Sequence, residues 1–335
     1  MPVHYPSASD LHVNALTEMG IAYGQDLAKD YLADAGSTQV RVKKQSDIYP
    51  VWSKADFFRS EMMLRADGTK SERAGFRVDT SNTYFADVYA LSTTLTARQK
   101  ANADSQLMIE KAKVKYLMQQ AKINRDKLYA AAVFASGLWT SNTEQTGVAS
   151  GASTNQFIQF NDSTATPIKI IQTQMEAVYL NCGRYPNALI TNTKVATALR
   201  GHSDFINRVQ YVGDRPAYVT NEDIQKILGI EKVLVARSLE NTAAEGQTAT
   251  MARIFGNHVL LAYIDFDGNP TVDDQSPTAI TTFAWSAIPG VTKQGASIET
   301  WYDRDIKADV YEIEDGFDVK ITANDAAVFL ASAVA

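Results

Sequence analysis

Between residues 46 and 82 the sequence reads as a pair of extended strands that has no sheet of its own to join. Ile48, Val51, Trp52, Phe57 and Phe58 follow no helical spacing, and Met62-Met63-Leu64 leads into Asp67-Gly68, a turn dipeptide. Beyond the turn, Phe76 and Val78 alternate with Arg77 and Asp79. The pattern predicts a long hairpin centred near Asp67-Gly68. Arms of about fifteen residues at roughly 3.3 Å each reach on the order of 50 Å. A two-stranded ribbon is at best marginally stable in water, so this one needs a surface to lie on. Its own domain does not have to be that surface.

The clearest helix follows, over about 103–136. Leu107, Val114, Leu117, Met118, Ala121, Leu128, Ala131 and Ala132 recur at three-, four- and seven-residue steps, while Lys111, Lys113, Lys115, Lys122, Arg125 and Lys127 occupy the remaining surface. Asp104 suits the N-cap and Gly137 the stop. Some thirty residues at about 1.5 Å each make a rod of roughly 45–50 Å. Such a rod is a spine on which other elements hang; the heptads are too imperfect for a coiled coil.

The segment before the hairpin, 1–45, is a weakly patterned arm in which Gln25–Ala35 fits a short helix ending at Gly36. After the spine, residues 138–165 are rich in Ser, Thr, Asn, Gly and Gln and read as a loop or small insertion. Thr166-Pro167 opens a helix with proline at its first position; Ile168, Ile171, Met175, Val178 and Tyr179 mark its buried face, and Gly183 closes it. From Arg184 the pattern alternates strand and helix. Ala188-Leu189-Ile190 is a buried strand, Asn192 caps a helix running to Gly201, and Thr220 with Asp223 forms a capping box for a helix ending at Gly229. Strands then fit Lys232–Ala236, Arg253–Phe255, Val259–Ile264 and Ala279–Trp285. Asp315-Gly316 suggests a terminal hairpin. A two-residue loop there sets Ile313 against Asp318; a three-residue loop pairs Ile313 with Phe317 and Tyr311 with Val319, and is preferred because it keeps one apolar face.

Chemistry is hard to find. Cys182 is the only cysteine, so disulfides and multi-cysteine metal sites are excluded. His4, His12, His202 and His258 are scattered. Gly68-Thr69-Lys70-Ser71 lacks the upstream glycine of a phosphate-binding loop. Asp265, Asp267 and Asn269 have calcium-loop spacing, but Pro270 stands where that loop needs glycine. No base, nucleophile and orienting partner come together, and no cofactor is expected. The sequence reads as a non-enzyme. Met1-Pro2-Val3-His4-Tyr5 has neither the basic nor the apolar region of a secretion signal, and no apolar run is long enough for a membrane span. A soluble cytoplasmic product is expected. With 45% apolar and 21% charged residues the 335-residue chain is globular, and a net charge of −6 argues against general nucleic-acid binding.

That charge is unevenly placed. From Arg41 to Arg77 nine basic residues face five acidic ones; from Glu299 to Asp325 nine acidic residues face three basic. The complementarity suggests that Lys54, Arg59, Arg65, Lys70, Arg73 and Arg77 of one copy meet Asp309, Glu312, Glu314 and Asp318 of a neighbour.

Several stretches carry a family resemblance: Val78-Asp79-Thr80 to Ala103-Asp104, Arg184-Tyr185-Pro186-Asn187-Ala188-Leu189-Ile190, Arg208-Val209-Gln210-Tyr211, Ile227-Leu228-Gly229-Ile230-Glu231-Lys232-Val233-Leu234-Val235, Asn241-Thr242-Ala243, Ile254-Phe255-Gly256-Asn257 and Thr282-Phe283-Ala284-Trp285. In this order they resemble tailed-bacteriophage major capsid proteins of the Hong Kong 97-type shell fold. The resemblance implies an α+β chain with an N-terminal arm (1–45), an extended β-hairpin loop (46–82), a peripheral domain (83–183 and 299–335) holding the long spine helix, and an α/β axial domain (184–298). It further implies hexamers and pentamers tiling an icosahedral shell in a virion assembled in the host cytoplasm. Double-stranded DNA would be enclosed without sequence-specific binding. A portal protein, and scaffolding and decoration proteins, are the implied partners. Some relatives crosslink a loop lysine to a neighbour; Lys54 and Lys70 are available, with no matching acceptor. The rivals are an encapsulin-type compartment and a soluble α/β enzyme with an unrecognised site.

Overall fold

The computed structural model describes residues 25–26, 29–102, 109–139, 144–210, 219–266, 277–287 and 296–335. Strand β1 (Thr38–Val42) is followed by the projecting loop, which contains β2 (Ser46–Ile48), β3 (Val51–Trp52), the one-turn helix α1 (Lys54–Phe57), β4 (Val78–Asp79) and β5 (Thr83–Phe85). The chain continues through β6 (Asp87–Thr96), α2 (Ala97–Asn102) and the long helix α3 (Ile109–Val133). Next come β7 (Glu144–Val148), β8 (Gln156–Ile158) and α4 (Pro167–Cys182). The alternating region holds β9 (Ala188–Asn192), α5 (Thr193–Gly201), α6 (Ser203–Gln210), α7 (Asn221–Leu228) and β10 (Lys232–Ala236). The remaining strands are β11 (Leu239–Asn241), β12 (Met251–Arg253), β13 (Val259–Ala262), β14 (Ile280–Trp285), β15 (Ala296–Asp303), β16 (Ala308–Ile321) and β17 (Ala327–Ala331).

Two sheets organise these elements. The six-stranded sheet runs β10-β9-β13-β17-β7-β8. Its β9, β13 and β17 are buried along their whole length, which is why they are apolar without alternation, Thr191 and Asn192 at the end of β9 excepted. The parallel pair β9–β10 needs a crossover, and α5 to α7 supply it. Local signals place those helices. The Asn192 side chain accepts from the Val195 N–H at 2.9 Å, Thr220 and Asp223 complete a reciprocal capping box, and Gly229 closes α7 at φ 70°. Ile168, Ile171, Met175 and Val178 of α4 lie in the main core, which also takes Tyr129, Val133 and Phe134 from the end of α3.

The second sheet joins β1, β14, β16 and β15, with β6 on the opposite side of β16. A smaller cluster binds it to the spine: Leu95, Tyr311 and Ile313 pack against Leu117, with Ile109, Val114 and Ala121 around them.

Four expectations change. The terminal hairpin does not form: β16 runs unbroken from Ala308 to Ile321, so Asp315-Gly316 lies mid-strand. Asp315 is buried toward Arg125 of the spine, and this tertiary placement overrides the turn signal. The polar stretch 138–165 is not only a loop; β7 and β8 extend the six-stranded sheet. The described part of Gln25–Ala35 makes successive turns rather than a helix, because the Leu32 and Ala33 amides donate to the Asp126 carboxylate. The strand expected over Arg253–Phe255 is shifted to Met251–Arg253, leaving Phe255 past its end, in the core. Asp104, Tyr211, His4, His12, Asp267, Asn269 and Pro270 lie outside the described residues.

Candidate intersubunit surface

The loop is paired only near its root. Ser46 to Ile48 oppose Phe85 to Thr83, and Val51 with Trp52 opposes Asp79 with Val78. Several contacts hold this root to the body. Lys54 pairs with Asp325 and donates to the Asn181 carbonyl at 3.2 Å. The Phe58 ring covers Gly183, whose left-handed φ of 77° closes α4; a Cβ there would come within 2.6 Å of the ring. Across the loop, Asp56 takes two hydrogen bonds from the Arg77 guanidinium, at 3.1 and 3.2 Å, and one from its backbone N–H at 3.0 Å. These hold the Asp56 carboxyl down at about 2.

Past Phe58 the pairing stops. Among the described residues, neither Ser60–Leu64 nor Lys70–Phe76 makes a backbone–backbone hydrogen bond. The turn at Gly68, φ 74°, is held by Thr69 N–H to the Ala66 carbonyl at 3.2 Å and by Arg65 Nε to the Thr69 carbonyl at 2.6 Å. Phe57, Met62, Met63, Leu64 and Phe76 line an open hollow within the loop. Met62 is 97% exposed, Met63 78%, and Leu64 fully so. Three large apolar side chains in a row without cover are what a surface awaiting a partner looks like.

The acidic sheet divides by parity. Odd residues of β16 face the spine, where Asp309 pairs with Lys100 at 3.5 Å. Glu312, Glu314 and Asp318 share the other face. On that face Glu299 of β15 stands directly opposite Glu312, an arrangement that costs stability unless a cation comes between. Glu299, Glu312 and Glu314 have no ion pair in the described structure, whereas Asp318 accepts from the Phe85 N–H at 2.9 Å and lies 3.3 Å from Lys320.

The ten charged residues singled out from sequence therefore separate. Lys54, Arg77, Asp309 and Asp318 are engaged within the chain. Arg59 lies 3.7 Å from Glu61, and Arg65 holds its own turn. Lys70 and Arg73 are exposed and make no ion pair among the described residues. The structure does not bring the basic set and the acidic set together within one chain.

Sequence reading missed a buried charge cluster beneath this surface. Arg125, 2% exposed, reaches Asp34 at 3.1 Å and Asp315 at 3.8 Å, and its guanidinium lies 4.6 Å from the Phe317 ring centre. Lys122 also pairs with Asp34. Burial raises the Asp315 carboxyl to about 6, against the pull of Arg125. The two partners of Arg125 lie 91 and 190 positions away (125 − 34 and 315 − 125), so no local pattern points to them.

Among the described residues no group of His, Cys, Asp and Glu fits a metal ion, and no helix is long and apolar enough to cross a membrane. His202 sits 3.1 Å from the Asp162 carbonyl, and His258 packs between Phe134 and Phe329 while accepting from the Ser332 N–H. Both are structural. Cys182 is buried, and its thiol is pushed up by that burial, the reverse of a reactive cysteine.

Against known structures the match is broad. A phage-related protein from Bordetella bronchiseptica superposes with a TM-score of 0.67 at 18% identity, covering 93% of this chain and 94% of that one. The capsid of cyanophage P-SCSP1u gives a TM-score of 0.56 at 12% identity, covering 96% and 93%. The chain has the Hong Kong 97-type shell fold. The sequence agrees with the fold: the major capsid protein of Burkholderia phage BcepMu is 22% identical over 251 residues, 74% of this chain and 75% of that one. No family model matches.

Proposed function

We propose that this chain is the major capsid protein of a tailed bacteriophage, assembling as hexamers and pentamers into an icosahedral head around double-stranded DNA. The observation that carries the reading is the extended loop: its tip exposes Met62, Met63 and Leu64, and 60–64 makes no backbone hydrogen bond among the described residues. A lone soluble protein gains nothing from such an arm; a shell subunit needs one. Residues 184–298 form the axial domain in this reading, 83–183 with 299–335 the peripheral domain, and 1–45 the arm. Basic loop residues, chiefly Arg59, Arg65, Lys70 and Arg73, then meet the uncompensated Glu299, Glu312 and Glu314 of an adjacent copy, steering and orienting more than binding. The role is structural rather than enzymatic. A net charge of −6 suits a wall that must not adhere to a polyanionic cargo. The portal and any scaffolding or decoration proteins are partners of the assembled head, in the virion and during its assembly in the host cytoplasm.

Electron microscopy of the purified, overexpressed protein tests the reading. Closed shells or hexameric and pentameric capsomers are expected, and heads from infected cells should contain DNA. A small soluble oligomer with no shells would overturn it in favour of an ordinary α/β protein. Particles holding protein cargo instead of DNA would make the chain the shell of an enzyme compartment.

A further inference from the structure

The second sheet has an open edge. Among the described residues, strand β6 pairs with β16 on one side only, Thr96 opposite Ala308 through Asp87 opposite Phe317. The Ala97 N–H continues the same register to the Lys307 carbonyl at 3.2 Å, so odd-numbered residues of β6 direct their backbone groups at β16. Even-numbered residues direct theirs outward. At the C-terminal end these are answered: the Thr94 carbonyl accepts from Lys113, and the Thr96 N–H donates to Gln99 Oε1 at 3.2 Å. The N–H and C=O groups of Val88, Ala90 and Ser92 have no partner in the described structure.

Edge strands of soluble proteins are usually guarded by lysine, proline, a bulge or a covering element. Here Asp87–Ser92 carries one charge, at its first residue, and no proline, and all six residues are exposed. The same chain holds a segment outside any helix or strand, 60–64, whose amides make no backbone hydrogen bond among the described residues. Written as a strand, Arg59–Arg65 is two-sided: Ser60, Met62 and Leu64 on one face, Arg59, Glu61, Met63 and Arg65 on the other, a face whose net charge is still positive. The open edge is two-sided in the matching sense. Exposed Tyr89 and Leu91 lie on the spine face, and the row of Glu312 and Glu314 lies on the other, two strand spacings or about 10 Å from an added strand.

We propose that the loop tip of a second copy, Arg59–Arg65, adds as a strand to the free edge of β6, bonding to the backbone of Val88, Ala90 and Ser92. Met62 and Leu64 then cover Tyr89 and Leu91, and Arg59 and Arg65 face Glu312 and Glu314. This is strand addition, in which main-chain bonds supply affinity and alternate side chains supply specificity. It rests on the shell reading and specifies the contact that closes the shell.

Parity provides the test. Proline is tolerated on an edge strand where its missing N–H faced solvent. Ala90→Pro therefore leaves the β6–β16 ladder intact and blocks the added strand. Circular dichroism and the thermal midpoint should match wild type to within a few degrees, while shell yield falls at least tenfold; wild-type shell yield from this variant would overturn the proposal. Hydrogen exchange on the wild-type protein needs no variant. Amides of 87–92 and 60–64 should both slow at least tenfold between unassembled protein and shells. Unchanged exchange at 87–92 would overturn the added strand, and protection there without protection at 60–64 would overturn its occupant. If wild type forms no shells at all, the shell reading fails rather than the strand.

Discussion

Asp315 shows how one side chain reports on the joint between spine and sheet. Its carboxyl is buried, lies too far from Arg125 for a hydrogen bond, and is raised to about 6 from an ordinary 3.8. Between those values the folded chain holds a proton that the unfolded chain has released, so this group's contribution is complete below about pH 4 and fades as pH rises through 6. Asp315→Asn removes the titration. The thermal midpoint of the variant relative to wild type should rise steadily from pH 4 to pH 7 in unassembled protein, by the equivalent of at most about 3 kcal/mol. A difference that stays flat across that range would show that burial does not raise the group. Little of this was legible in the sequence. Arg125 read as one more surface cation on the spine, because its partners Asp34 and Asp315 come from distant segments. Lys54 and Arg77 misled in the same way: as bare letters they were free charges, whereas folding gives them Asp325 and Asp56.

At the scale of elements, helices with local punctuation were readable and strands whose fate depends on neighbours were not. Pro167 and Gly183 bracket α4, and Asn192 and Thr220 start α5 and α7, because capping is decided within a few residues. Asp315-Gly316 carries an equally strong turn signal, yet β15 and β6 pair along both sides of β16 and hold it straight. The loop was readable as an extended arm but not as a ribbon paired only near its root. The spine's apolar stripe also proves narrow: beside the sheet it buries Leu117 completely, against Leu95, Tyr311 and Ile313. Leu117→Ala removes the centre of this small cluster and should cost about 2–4 kcal/mol, read as a shift in the denaturation midpoint. A cost below about 1 kcal/mol would mean that the sheet is not seated on the spine.

For the whole molecule the governing fact is that two complementary surfaces in one chain do not meet. The tip of the loop is basic and apolar with unpaired backbone, and the sheet beyond the spine is acidic with an open edge. Each is unfavourable alone, and in the proposed contact a second copy satisfies both. Charge asymmetry was the one part of this legible in the sequence, since it survives any folding of the segments between. The open edge of β6 was not, because it depends on which side of β16 the strand joins. The direct test is particle yield from four proteins at low salt: wild type, Arg65→Glu with Arg73→Glu, Glu312→Lys with Glu314→Lys, and all four substitutions together. Each pair alone should cut the yield of sedimenting shells at least tenfold, and the fourfold variant should recover to within about threefold of wild type. Equal yields from all four proteins, or a fourfold variant no better than either pair, would contradict a loop seated on the neighbour's acidic sheet.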